Sequence, residues 1–275
     1  MELPTVDFCG IEVSRIAVGG NPFSGIGHQD AALDRALRDY YTAARIKETL
    51  FQCEELGINT AFLRADNHIM RLLHEHWNEG GTIQWIAQHA PERRDLLHNI
   101  RQAHGAGATA CYIQGAVMDG WQEHGHLDKA REPLALIREL GMVSGIAGHQ
   151  PKTHRDAVTV GLDFGFHMVC FYNLTGRQGR IDVADPDAER YRPEDREQAA
   201  ELLGELGRPC VAYKILAAGR NDPREAIPYA VRHLKPTDIC CIGFFPKDRP
   251  NEIREDIEIF CEALERRVGP TYRDR

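Results

Sequence analysis

No apolar run in this chain approaches the ~20 residues that a bilayer-spanning helix needs. There is no basic cluster long enough to track a phosphate backbone, and the formal net charge is −8. Both facts argue against a nucleic-acid partner. The start, Met1-Glu2-Leu3-Pro4, has neither the basic residues nor the apolar stretch of a secretion signal. None of the eight cysteines forms a CxxC pair, so neither a zinc ribbon nor a dithiol redox motif is indicated. Cys111, Cys170, Cys210, Cys240 and Cys241 lie within apolar segments, as small core hydrophobes do. These absences predict a cytoplasmic protein whose partner is a small-molecule substrate, with no membrane or nucleic acid involved. No low-complexity tract or domain boundary interrupts residues 1–275.

What the chain does have is an alternation. Eight short apolar segments, each ending in polar residues, cover 16–21, 59–66, 83–89, 110–114, 143–149, 167–173, 210–214 and 238–243. Helix-like stretches separate most of them. Strands alternating with helices imply parallel βαβ units. Eight such units in a chain of this length predict one (β/α)8 TIM barrel, whose site lies where the strands end. Residues 5–15 predict a short hairpin ahead of it, turning at Gly10. One long helix is expected over 30–56, where Ala43, Ile46, Leu50 and Cys53 keep a spacing of three to four. Asp66 or Asn67 is placed to cap the next helix, and another is expected from Pro91 to His104. Residues 115–128 and 174–192 are expected to be loops over the barrel mouth. A C-terminal amphipathic helix is expected over 251–266.

The strand ends gather the chemistry. Asp66, His89 and His149 form a common ligand set for zinc, iron or manganese, and each could instead move protons. Their alternative is ordinary polar strand ends, with Asp66 capping a helix. Lys214 lies in the apolar stretch Val211–Leu216. If it points inward, burial lowers its pKa. It could then form a Schiff base, abstract a proton, pair with a carboxylate or bind a substrate anion. Arg64 is suited to clamp an anion or to form a salt bridge. Asn21, Gln114, Tyr172 and Asn173 are candidate substrate-binding residues, with turn and core roles as their alternatives.

Several stretches together resemble the aldo-keto reductase superfamily. They are Val13-Ser14-Arg15-Ile16-Ala17-Val18-Gly19, Glu55-Leu56-Gly57-Ile58-Asn59, Val211-Ala212-Tyr213 and Pro250-Asn251-Glu252-Ile253-Arg254-Glu255-Asp256. The resemblance implies the same barrel, with Tyr213 stacked on a nicotinamide ring. It also exposes departures. Gln88-His89 stands where the family has its lysine, and Gln114 where it has its histidine. No tyrosine follows the second barrel strand. Glu252 and Asp256 replace the arginine and asparagine that hold the adenosine phosphate, and carboxylates there repel a phosphate. NAD(P) is therefore the less favoured cofactor, and a divalent metal the more favoured one. The leading expectation is an enzyme acting on a small polar, hydroxylated or carbonyl compound. Its reaction would be metal-assisted or acid–base isomerisation, elimination or hydrolysis. The alternatives are an NAD(P)-dependent oxidoreductase with a non-standard catalytic set, and a non-catalytic metabolite-binding barrel.

Overall fold

Eight parallel strands close into a barrel in the computed structural model, which describes residues 2–93, 95–172 and 191–267. A hairpin comes first, β1 (Thr5–Phe8) and β2 (Ile11–Ser14). The barrel strands are β3 (Ile16–Gly19), β4 (Thr60–Arg64), β5 (Gln84–Gln88), β6 (Ala110–Ile113) and β7 (Val143–Gly148), then β8 (Phe166–Cys170), β9 (Cys210–Tyr213) and β10 (Ile239–Ile242). Each pairs with the next, and β10 closes on β3. All eight predicted strands are present. The helices are α1 (Ala31–Tyr40), α2 (Ala43–Glu55), α3 (Asn67–Asn78), α4 (Leu96–Gly105) and α5 (Gly115–Glu123), followed by α6 (Arg131–Glu139), α7 (Pro151–Thr159), α8 (Pro193–Glu205), α9 (Pro223–His233) and α10 (Glu252–Arg267).

Alternation along the strands divides the core in two. Phe62, Ile86, Tyr112, Met168 and Val211 fill the barrel interior. Their neighbours Leu63, Trp85, Cys111, Val169 and Ala212 pack outward against the helices. Phe8 and Val13 of the hairpin belong to the interior group, and the Phe8 ring lies 5.2 Å from that of Phe166. The hairpin thus plugs the end of the barrel where the strands begin. Burying a phenylalanine in this way contributes roughly 1.5–3 kcal/mol. The open end is where the strands finish. Among the described residues, no helix is long and apolar enough to cross a membrane.

Three predicted elements differ. The helix expected over 30–56 is two helices, because Tyr41 leaves helical geometry and Thr42 caps α2 through the N–H of Arg45. Helix α4 begins at Leu96, capped by Asp95, and not at Pro91. Residues 115–123 form helix α5 where a loop was expected. The Gln114 side chain accepts from the Val117 N–H, and Gly115 and Met118 are buried. The other expected mouth loop lies almost wholly outside the described residues.

Candidate active site

A cavity of about 620 Å³ opens at the carboxyl ends of the strands. Six sequence-predicted residues line it: Asn21, Arg64, Gln114, His149, Tyr213 and Lys214. They come from five strand ends, so only closure of the barrel brings them together. His28, Gln88, Tyr112 and Glu252 add further polar atoms to the wall.

His149 is the most elaborately held of these. It follows β7, and its Nδ1 lies 2.8 Å from the Asp119 carboxylate on α5. Asp119 also accepts from the Thr153 hydroxyl at 2.6 Å and from the His149 backbone N–H. Burial pushes the Asp119 carboxyl up, but the hydrogen bonds from His149 and Thr153 outweigh it and keep it below its ordinary value. An ionised carboxylate only accepts, so the imidazole proton sits on Nδ1. Burial, reinforced by the charge of Lys214, holds the imidazole below its ordinary pKa against the pull of Asp119. His149 is therefore neutral at pH 7, and Nε2 is its unprotonated nitrogen. Close packing fixes the ring. A Cβ built on Gly115 would lie 2.9 Å from His149 Cε1 and 3.4 Å from the Tyr213 hydroxyl.

Lys214 breaks the pattern of its strand. Cys210 and Ala212 face the helices, and strict alternation would send Lys214 the same way. Its φ of +59° turns the chain into the left-handed region, and the residue lines the cavity beside Tyr213. Such a conformation costs a non-glycine residue on the order of 1 kcal/mol. The Lys214 carbonyl accepts from the Ala217 N–H at 2.8 Å, which closes the turn. Among the described residues, the amine has no hydrogen bond and no ion pair. Burial pushes its pKa down to about 8.

The remaining cavity residues are bound more locally. Arg64 is ion-paired with Glu92 and lies 3.7 Å from Asp66. The Asn21 amide nitrogen is 3.1 Å from His28 Nε2. Tyr213 meets the His149 ring edge-on at 6.1 Å, and its hydroxyl donates a long bond to the Gly148 carbonyl.

Other expected site residues lie elsewhere. Asp66 caps α3 through the Ile69 N–H and is not in the cavity wall. His89 is buried, and its Nδ1 accepts from the Gln114 N–H at 2.8 Å, which ties two strand ends together. Burial and the nearby Arg64 charge push its pKa down to about 4. The Tyr172 hydroxyl accepts from the Asn221 amide at 2.6 Å, and the ring is core. Asn173 lies outside the described residues. Among the described residues, no three His, Cys, Asp or Glu side chains are grouped to hold a metal ion. The ligand set Asp66, His89 and His149 does not fit one. Each already serves a different partner.

Asp119, the partner of His149, is absent from the strand-end candidates because the sequence of 115–128 reads as a loop. Helical spacing from Gly115 would have placed Asp119 on the same inward face as Met118.

No family model matches the chain, and no curated protein matches it in sequence. Solved structures do match in fold. A candidate aldo-keto reductase from Pseudomonas aeruginosa is 14% identical, with a TM-score of 0.58 over 95% of this chain and 94% of that one. Gox0644 in its apo form is 11% identical, with a TM-score of 0.58 over 97% and 94%. A Xanthomonas albilineans dihydropteroate synthase is 12% identical, with a TM-score of 0.51 over 96% of each chain. At such identities the likeness extends to the TIM barrel and no further.

Proposed function

We propose that this chain is an enzyme that moves protons on a small hydroxylated or carbonyl-bearing compound, by acid–base isomerisation or elimination at the barrel mouth. The observation that carries this is His149, held from behind by the buried Asp119 carboxylate, in the wall of the cavity that Lys214 also lines. A buried carboxylate fixes the tautomer of the imidazole, steadies its charged form and leaves Nε2 as a base. Nε2 takes a proton from the carbon beside a substrate carbonyl. The electron pair moves onto the carbonyl oxygen, where the cation of Lys214 stabilises it. The imidazolium then returns the proton to a neighbouring carbon, or to a hydroxyl that leaves as water. Asn21, Gln88 and Gln114 offer amides to orient hydroxyl groups. Proton transfer of this kind rests on side chains alone.

Incubating the protein in D2O with a panel of small α-hydroxy aldehydes and ketones tests this. Deuterium should enter beside the carbonyl, with the rate falling roughly 10²–10⁴-fold in His149→Gln and in Asp119→Asn. Exchange as fast in both variants as in the native protein would contradict it. The place of Tyr213 in the cavity wall favours a second reading, nicotinamide-dependent oxidoreduction. Titrating NADPH and NADH against tryptophan fluorescence separates the two, and an unchanged signal at millimolar cofactor removes the second.

A further inference from the structure

We propose that Lys214 is a covalent catalytic residue, and that its amine condenses with the carbonyl of an aldehyde or ketone substrate to form an iminium. This rests on the proton-transfer reading and puts a Lys214 iminium in place of the Lys214 cation as the acceptor of the released electron pair. Three geometric facts support it. The side chain lines the cavity, where an aldehyde or ketone must bind for His149 to reach its adjacent carbon. The amine has no hydrogen bond or ion pair among the described residues, so none of the described carboxylates holds it charged. The left-handed backbone at Lys214 sets the residue in the cavity wall against the alternation of its strand. Strain of this sort persists where the fold over-determines a functional geometry. Burial complements the geometry, since it leaves a usable fraction of the amine neutral near pH 8.

The neutral Nζ adds to the carbonyl carbon, forming a C–N bond and leaving the electron pair on oxygen. Nε2 of His149 takes a proton from the new ammonium and delivers it to that oxygen, giving a carbinolamine. The hydroxyl takes a second proton from solvent and leaves as water. The nitrogen lone pair closes the C=N bond as the C–O bond breaks. The resulting iminium acidifies the adjacent C–H, and the same imidazole removes that proton. The electron pair then rests in a neutral enamine rather than in an enolate. The imidazolium gives its proton to the enamine carbon, or to a β-hydroxyl that leaves as water as the enamine electrons expel it. One water then hydrolyses the C=N bond to free the carbonyl product and the Lys214 amine.

The experiment uses the full chain with glycolaldehyde or dihydroxyacetone and sodium cyanoborohydride, which transfers hydride to iminium carbon. Peptide mapping by mass spectrometry gives the labelling rate at each lysine. Lys214 should be labelled at least roughly 10-fold faster than exposed Lys129 and Lys247 at pH 7.5, with half-maximal rate near pH 8. Lys214→Arg and Lys214→Met should lose that label and keep the native circular dichroism. Labelling of Lys214 no faster than that of the exposed lysines would overturn the proposal. Deuterium exchange run in parallel keeps the two ideas apart. Exchange that depends on His149 without a Lys214 adduct overturns the iminium alone and leaves the acid–base site standing. An adduct without exchange supports the iminium and removes the base. Neither adduct nor exchange overturns both.

Discussion

At Gly115 a single methyl group is enough to move the proposed base. The Cβ of an alanine there would press on His149 Cε1 at 2.9 Å and Nδ1 at 3.0 Å, inside normal contact. Gly115 is the first residue of α5, where alanine suits the helix at least as well as glycine. Gly115→Ala should therefore lower proton-transfer activity by roughly 10-fold or more, because ångström displacements of a catalytic group are felt at that scale. The displaced ring should also lower the melting temperature by a few degrees, so activity is compared well below the transition. Unchanged activity would show that the imidazole need not hold its place. The same scale explains which candidate residues share the cavity. Asn21, Arg64, Gln114, His149 and Lys214 line it because a barrel sends every strand end to one mouth, and Tyr213, singled out by the reductase resemblance, lines it with them. Asp66, His89 and Tyr172 sit at strand ends too, yet backbone N–H groups or a neighbouring amide occupy their polar atoms. Position along a strand is legible in a sequence, whereas the direction of a side chain just past its end is not.

At the scale of elements, α5 and α10 carry what strand-end reasoning passed over. Helix α5 delivers Asp119 to His149, and two glycines in Gly115–Glu123 obscured its helical period. Helix α10 buries Asp256 completely, and neither carboxyl oxygen has a hydrogen-bond partner among the described residues. Burial, with Glu252 one turn earlier adding its charge, pushes the Asp256 pKa up to about 7. The folded chain thus keeps this proton up to about pH 7, while the unfolded chain releases it near 3.8. The folded state is favoured fully below the unfolded value, and this stability is lost as pH rises from about 4 to 7. The loss is at most about 4 kcal/mol. Asp256→Asn keeps the shape and removes the titration. It should raise stability at pH 8 by roughly 1–3 kcal/mol and change little at pH 4, as read from urea unfolding at both pH values. Equal effects at the two pH values would contradict a titrating Asp256.

The whole barrel was the most legible level, since eight apolar segments of strand length separated by helices leave few topologies open. The hairpin is legible from its turn at Gly10, whereas its place as a plug and the two core layers emerge only in the folded barrel. The chemistry was less legible because it arises between elements distant in sequence. Asp119 and His149 are 30 residues apart and meet only when α5 packs beside β7. Likeness to structures with different reactions leaves the site to carry the functional argument. The proposed proton transfer depends on the state of one imidazole. Nitrogen-15 NMR of His149 in the full-length native protein reports both its charge and its tautomer. At pH 7 the ring should be neutral with its proton on Nδ1, and Asp119→Asn should abolish that preference. An imidazolium at pH 7, or a proton on Nε2, would contradict a base held ready in the cavity.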